Sequence, residues 1–201
     1  LIGAGLCDAT DDVLLLSRKG QAIRFRADDG QLRPMGRATS GVTGMKFRDG
    51  DELLSMAIIG AELPEDDRFV FTVTDEGFAK RTRVSEYREQ GRGGLGVKAM
   101  RLNDERGQLV GGLVVQESDE VIAIKHSGQI TRSNVSEVPV KGRDTMGVKF
   151  VGVRGDDLVS LIALNPEDSV VDDGGDEGNG TAESTDDGSG GHDGAQEDNR
   201  D

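Results

Sequence analysis

The chain has 201 residues and a formal net charge of −14 at pH 7, with 31% charged and only 3% aromatic residues. Its one cysteine, Cys7, excludes a disulfide framework and a zinc site built on thiolates, and it suits the reducing cytoplasm in which we expect the protein to work. No apolar run approaches the roughly 18 residues that a membrane-spanning helix needs.

The negative charge is concentrated at one end of the chain. Residues 166–201 contain 13 acidic residues and one basic residue, Arg200, whereas residues 1–165 contain 25 acidic and 23 basic residues. The acidic end has too little apolar surface to offset its chain entropy, so we expect a disordered acidic tail over 166–201 and a folded body over 1–165. Adaptation to high salt is one hypothesis for this composition, and drift in a GC-rich genome is the other.

The first residues already have the pattern of a strand. The chain begins with Leu, and residues 1–6 match the last strand of the repeat described below. We therefore expect the chain to be a piece of a longer protein, entered at a strand of an earlier repeat.

Three hairpins with one shared pattern follow along the chain. In each, a short apolar strand ends at a turn glycine, and a second strand returns from it. The turn glycines are Gly20, Gly77 and Gly128. Glycine at this point can adopt the positive φ of a tight hairpin. The fourth residue after each glycine is an arginine: Arg24, Arg81 and Arg132.

A second pattern, Gly-Arg, three residues, Gly-Val, also occurs three times, at 36–42, 91–97 and 142–148. Its arginines, Arg37, Arg92 and Arg143, are 55 and then 51 residues apart. Each copy begins a predicted third strand (42–47, 97–102, 148–153), and a fourth follows after a turn (53–59, 109–115, 158–164). The connectors 84–87 and 135–138 are too short for regular helices.

Four strands in roughly 50 residues are typical of a propeller blade, so the sequence predicts an all-β, propeller-like repeat of four-stranded blades. An open β-solenoid is the alternative architecture. Three blades are too few for an ordinary ring of roughly four to eight. We therefore expect an incomplete ring whose missing blades lie upstream, with unprotected sheet edges that favour aggregation.

No pattern of residues indicates a catalytic or metal site. His126 falls in a hairpin tip and His192 in the tail, and neither lies in a nucleophile pattern. Tyr87 lies in a connector, and the acidic clusters lack the spacing of a Ca²⁺ loop. The glycines of 93–96 do not join a strand to a helix, which argues against a nucleotide-phosphate loop.

Positive charge recurs at fixed places in the unit instead. Besides the two arginine series, we assign four lysines to the same track: Lys80, Lys98, Lys141 and Lys149. A curved track of cations suits the regularly spaced phosphates of duplex DNA. The scarcity of aromatic residues argues against a single-strand binder. The alternative is structural, with each repeated arginine bridging neighbouring blades through a carboxylate.

These motifs resemble the C-terminal domain of the DNA gyrase A subunit, a β-pinwheel that wraps DNA. The resemblance is carried by residues 35–44, 71–82, 135–137 and 142–148, and it extends over residues 1–164. The family's first blade has a box of the form Gln, basic, Arg, Gly, Gly, basic, Gly, which supercoiling requires. Residues 90–96 are similar but have Gly91 and Leu95 at the basic positions. We interpret them as a degenerate copy from a later blade.

The resemblance implies DNA wrapping that supports ATP-dependent negative supercoiling by a type II topoisomerase. It implies no catalytic residue and no cofactor in this chain, with ATP and Mg²⁺ used by the whole enzyme. The implied partners are double-stranded DNA, the remainder of the gyrase A protein and the gyrase B protein, in an A2B2 heterotetramer. The alternatives are the equivalent domain of topoisomerase IV and a non-enzymatic propeller scaffold. We also hypothesise that the acidic tail competes with DNA for the cations.

Overall fold

The computed structural model describes residues 1–165. The tail predicted over 166–201 lies outside the described residues. The all-β prediction is confirmed, with strands β1 (Asp12–Ser17), β2 (Gln21–Arg26), β3 (Leu53–Ile59), β4 (Arg68–Thr74), β5 (Phe78–Arg83), β6 (Val97–Lys98), β7 (Leu109–Gln116), β8 (Glu120–Lys125), β9 (Ile130–Asn134), β10 (Val148–Lys149) and β11 (Val159–Leu164). Helix α1 (Asp29–Leu32) and three 3-10 helices (Glu65–Asp67, Val84–Glu86, Val135–Glu137) fall between strands.

The strands form three antiparallel sheets, in the orders β3-β1-β2-β6, β7-β4-β5-β10 and β11-β8-β9. The predicted hairpins β1-β2, β4-β5 and β8-β9 are present, one in each sheet. The turn glycines Gly20, Gly77 and Gly128 have φ of 81°, 76° and 82°, as the hairpin pattern predicted.

In the first two sheets, the edge strand opposite the fourth strand comes from the following sequence unit, and this strand is called outermost below. Strand β6 pairs with β2 of the first hairpin, with Lys98 opposite Gln21 and Val97 opposite Ala22. Strand β10 pairs with β5 in the same way, two residues long. The prediction that each four-strand unit folds as its own blade is therefore wrong in strand assignment, although the number of strands in the first two sheets is correct.

The predicted third strands are also shorter than expected. Only two residues of 97–102 and of 148–153 pair as strands, because the chain then turns over the hairpin glycine. The amides of Ala99 and Met100 both donate to the Gly20 carbonyl at 2.8 and 3.3 Å, and those of Phe150 and Val151 donate to Gly77 in the same way. A chain that bends to bring two successive amides onto one carbonyl cannot continue a flat ladder.

Two predicted strands do not form among the described residues. Residues 42–47 make a single parallel bridge, from Met45 to Gly94. Residues 1–6 have no strand assignment, although Gly3 and Gly5 lie beside Met56 and Ile58 of β3. Both stretches correspond to strands that would complete or extend an earlier sheet, and the described residues contain no earlier sheet to pair with them.

The core lies between successive sheets as well as within them. One buried cluster joins the first and second units through Leu14, Leu16, Val70 and Val84, and a second joins the second and third units. The fourth strands approach one another closely at glycine. A Cβ on Gly111 of β7 would lie 2.3 Å from the side chain of Ile162 on β11, so a larger residue there would separate two sheets.

Three glycines of the Gly-Arg motifs test this packing, because a Cβ added at each would meet different surroundings. Gly96 has φ of 71°, and a Cβ there would lie 2.2 Å from the Ala22 carbonyl oxygen. Gly41 occupies the same motif position with φ of 79° but has nothing within 4 Å, and Gly91 has open space and no positive φ. We expect Gly96→Ala to lower the free energy of unfolding by about 3 kcal/mol or more, Gly41→Ala by about 1–2 kcal/mol and Gly91→Ala by under about 0.5 kcal/mol. Urea unfolding measures the series, and equal losses at Gly96 and Gly41 would contradict the close approach to Ala22.

Candidate nucleic-acid interface

The first two arginines of the return strands point into the protein. The Arg24 side chain is only 6% exposed and lies on β2. Its Nε donates to Asp12 Oδ2 at 2.6 Å, its Nη1 donates to the Tyr87 carbonyl at 3.2 Å, and its Nη2 pairs with Glu65. Asp12 belongs to the same sheet, whereas Glu65 and Tyr87 lie outside it, towards the next unit. Burial opposes the charge, but Glu65 and Asp12 outweigh it and raise the pKa of Arg24.

Arg81 repeats this arrangement one unit later. Its Nε donates to the Val138 carbonyl at 2.6 Å and its Nη2 to Glu117 Oε1 at 2.8 Å, both towards the following unit. Its guanidinium carbon lies 4.7 Å from the centre of the Phe69 ring. Phe69 is the second residue of β4 and lies beside Arg81 much as Asp12 lies beside Arg24, so a cation–π contact replaces an ion pair.

Arg132, the third member, is half-exposed and pairs with Glu120 of its own sheet at 3.2 Å. Arg24 and Arg81 thus form the ladder that the structural alternative predicted, in which each arginine ties its sheet to the connector that follows the next hairpin. The hydrogen bonds of Arg24 and of the Arg81 Nε and Nη2 groups are made to protein oxygens, and the buried Arg81 Nη1 has no partner among residues 1–165. A direct DNA contact by these three arginines stays a prediction.

The Gly-Arg loops of the second and third units lie at the outer edges of the sheets, because each leads directly into an outermost strand. In the second copy, the Arg92 amide donates to Gln31 Oε1 at 3.1 Å, and its Nε donates to the Gln31 carbonyl at 2.6 Å. Its Nη1 donates to the Thr43 carbonyl at 3.3 Å. The loop is therefore fixed against α1 and against the end of the first Gly-Arg copy, with Arg92 half-buried.

The third copy is fixed in a comparable way by different residues. The Arg143 amide donates to Glu86 Oε2 at 3.1 Å, and Nη1 donates to the Lys98 carbonyl at 3.1 Å. Arg37 of the first copy is exposed and has no polar partner among residues 1–165. The structure thus places all three motif arginines at the surface or half-buried, in contrast to Arg24 and Arg81.

The four predicted lysines divide into two groups. Lys98, Lys141 and Lys149 are exposed: Lys98 pairs with Asp144 at 3.3 Å, and Lys149 Nζ lies 4.6 Å from the centre of the Phe78 ring. Lys80 is fully buried, and its Nζ donates to the carbonyl oxygens of Gly142, at 2.7 Å, and Arg143. A duplex could therefore reach the first three lysines, whereas Lys80 lies beneath a loop.

Two residues that fix the loops gave no signal in the sequence. Gln31 and Glu86 each accept the backbone amide of a motif arginine, but they stand at different places in their units. The repeat does not align the two with each other, and although Glu86 recurs as Glu137 in the matching connector, that recurrence does not indicate a contact with a loop.

Burial lowers the pKa of Lys80 to about 8, against 10.5 in an unfolded chain. Below pH 8 Lys80 is protonated in both the folded and the unfolded protein, so the folded protein is destabilised by a buried ammonium. Between about pH 8 and 10.5 the unfolded state binds more protons, so the native state gains stability as the pH rises. We expect the stability of the wild type to increase relative to Lys80→Met over this window, measured by urea unfolding at pH 7, 8, 9 and 10. If the difference in the free energy of unfolding between the wild type and Lys80→Met does not change with pH, the burial of this charge is contradicted.

The described residues contain no group of three or more His, Cys, Asp or Glu side chains that could hold a metal ion. Among them no helix is both long and apolar enough to span a membrane.

Comparison with known proteins supports the division into three units. The family model of the DNA gyrase C-terminal domain, beta-propeller, matches residues 11–60, 68–116 and 119–172. Each match contains one hairpin, one Gly-Arg motif and one fourth strand. The unit that the family model repeats is therefore the unit that the sequence predicts.

Curated relatives of high similarity are DNA gyrase A subunits. That of Nocardioides sp. (strain ATCC BAA-499 / JS614) is 46% identical over 92% of this chain, and that of Streptomyces coelicolor is 58% identical over 83%. These matches cover 24% and 19% of the relatives, so the chain spans about a quarter or less of their length.

Two solved structures have the same fold. The C-terminal domain of DNA topoisomerase IV matches with a TM-score of 0.71 at 22% identity, over 80% of this chain and 48% of that one. The DNA gyrase A C-terminal domain matches with a TM-score of 0.68 at 26% identity, over 79% of this chain and 52% of that one.

Proposed function

This chain belongs to the DNA gyrase C-terminal domain family, and we propose that it binds duplex DNA and bends it around the outer edges of its sheets. The observation that carries the proposal is the position of the Gly-Arg loops. All three family matches contain one, and in the second and third units the loop leads into the outermost strand of a sheet.

The charges at this edge suit a phosphate backbone. Arg37, Lys98, Lys141 and Lys149 are exposed, and the half-buried Arg92 and Arg143 lie on the loops between them. Cations spaced along an edge neutralise successive phosphates without reading base sequence. In the second and third copies, the hydrogen bonds that fix the loop backbone reduce the entropy that the arginine loses on binding.

Bending supplies the mechanical role. Duplex DNA is stiff, and bending a 20–30 bp site by 40–90° costs on the order of 1–6 kcal/mol. Many weak phosphate contacts along a curved edge must offset that cost. DNA held on such a path crosses itself with a fixed hand, which is what a strand-passing enzyme needs to introduce negative supercoils.

The remaining roles belong to the larger enzyme. We propose that the chain acts in the cytoplasm as part of the gyrase A protein, which assembles with the gyrase B protein as an A2B2 heterotetramer. ATP hydrolysis and Mg²⁺-dependent strand cleavage would be carried out by the other parts of that assembly. No residue of this chain is assigned a catalytic role.

Salt dependence of duplex binding tests the DNA-binding function. We expect the full-length protein to bind a blunt duplex of about 40 bp with affinity that falls steeply with salt, since each neutralised phosphate contributes about −0.9 to the slope of log K against log salt. Fluorescence anisotropy between 50 and 300 mM KCl measures the slope. A slope near zero, or equal binding of an uncharged-backbone duplex, would show that phosphate neutralisation does not drive binding.

A further inference from the structure

Lys80 lies directly beneath one of the proposed DNA-binding loops. It is on β5, its side chain is fully buried, and its Nζ donates to the carbonyl oxygens of Gly142 and Arg143. These two residues open the third Gly-Arg motif. The ammonium therefore bonds the backbone that carries the Arg143 side chain.

The fold does not need a cation at this position. Counting from the turn glycines, the equivalent residues are Ile23 in the first sheet and Thr131 in the third. Ile23 is fully buried and packs near Gly94 of the second Gly-Arg loop. Because burying an ammonium is unfavourable, a lysine that stands where isoleucine also fits suggests a role beyond filling space.

Other groups fix the same loop. Thr82 Oγ1 donates to the Lys141 carbonyl at 2.8 Å, and Glu86 accepts the Arg143 amide at 3.1 Å. With Lys80, they fix the backbone of three consecutive residues. The Arg143 guanidinium keeps one protein partner, the Lys98 carbonyl, and its Nε and Nη2 have none among residues 1–165.

We propose that Lys80 is a positioning residue for DNA binding, which does not touch the duplex but holds the Gly142-Arg143 backbone so that the Arg143 guanidinium meets a phosphate. This inference rests on the proposed function. It also reassigns Lys80, which the sequence placed among the direct DNA contacts.

The protonation of Lys80 gives the proposal a second consequence. The charged groups that act on it are Glu86, Arg143 and Asp144. Burial lowers its pKa to about 8, so the ammonium becomes a neutral amine at a pH where exposed lysines keep their charge. A neutral amine makes weaker hydrogen bonds to two carbonyls, so DNA affinity should fall as the pH passes through this range.

A double-mutant cycle in the full-length protein tests the proposal. Lys80→Met keeps most of the length of the side chain and removes its charge and donors, and Arg143→Ala removes the proposed phosphate contact. We expect each single variant to bind a 40 bp duplex about five- to tenfold more weakly, and the double variant to bind within about twofold of Arg143→Ala. If the affinity losses of the two single variants multiply in the double variant, Lys80 contacts DNA independently of Arg143. If a folded Lys80→Met variant binds as well as the wild type, Lys80 has no role in DNA binding. Either result overturns the proposal.

Lys141→Met is the matched control, because Lys141 precedes the same loop with an exposed side chain. Its loss of affinity should multiply with that of Arg143→Ala, as expected for independent phosphate contacts.

A pH series keeps the proposal testable if Lys80→Met does not fold. Between pH 7 and 9.5 the wild type should lose several-fold in affinity, whereas Arg143→Ala should stay nearly constant. Equal losses in both proteins would overturn the proposal. A wild type that binds no duplex at low salt would instead overturn the proposed function itself.

Discussion

Arg24→Ala is expected to lower the free energy of unfolding by about 3 kcal/mol. The substitution leaves the buried carboxylate of Asp12 without its main partner and removes the bonds to Glu65 and Tyr87 towards the next unit. Removing one partner of a buried ion pair costs about 3–5 kcal/mol, and the remaining contact of Asp12 with Arg26 at 3.1 Å places the expected loss at the lower end. Equilibrium unfolding in urea measures the change.

Arg132→Ala is the matched control, at the same position of the third hairpin. Arg132 pairs with Glu120 at 3.2 Å, but its side chain is 51% exposed, so the loss should stay within about 1 kcal/mol. Equal losses for the two variants would contradict the assignment of Arg24 to a buried brace between units.

The largest effect on DNA binding is expected from changing Arg37, Arg92 and Arg143 together to Ala. If each neutralises one phosphate and contributes about five- to tenfold, duplex affinity at about 100 mM salt should fall by roughly 100- to 1,000-fold and the salt slope should become shallower by about three. Anisotropy titrations over a series of salt concentrations measure both quantities, and circular dichroism checks the fold. A loss of affinity with an unchanged slope would indicate that these arginines support the loops and do not contact phosphate.

A second triple variant separates this effect from the change in net charge. Arg18, Arg83 and Arg154 lie outside the Gly-Arg motifs, and their replacement by Ala removes the same three charges. We expect this variant to keep at least about a third of the wild-type affinity. Equal losses for the two triple variants would contradict an interface centred on the motif.

The local part of the fold could be predicted from the sequence because its signals are local. A turn glycine such as Gly77 and the apolar strands around it specify a hairpin within about 15 residues, and all three hairpins are confirmed. The connector 84–87 was likewise too short for a regular helix, and the structure has a 3-10 helix at Val84–Glu86.

The strand exchange could not be predicted because a repeat has no marker of which sheet each strand joins. Val97 follows the hairpin of its own unit in sequence, yet it pairs with Ala22 of the unit before. A period near 50 residues is the same under either assignment. Only the contacts between units, such as Ala99 with the Gly20 carbonyl, distinguish the two arrangements.

Which lysines are buried could not be predicted from the sequence either. Lys80 on β5 and Lys98 on β6 are both strand lysines of the same sequence unit. The structure covers Lys80 with the Gly142-Arg143 loop of the next unit and leaves Lys98 exposed at an edge. Since the covering loop begins 62 residues away in sequence, no local pattern could reveal it.

Because β6 and β10 each pair with the hairpin of the preceding unit, the first two sheets can be completed only after the following unit has been synthesised. The first hairpin is complete at Arg26, but its sheet gains β6 only after Val97 and Lys98 have left the ribosome. At roughly 5–20 residues per second, that leaves the outer edge of β2 open for several seconds. The open edge of β2 can pair with a strand of another nascent chain. Slow translation between β2 and β6 should therefore increase incorrect strand pairing between chains.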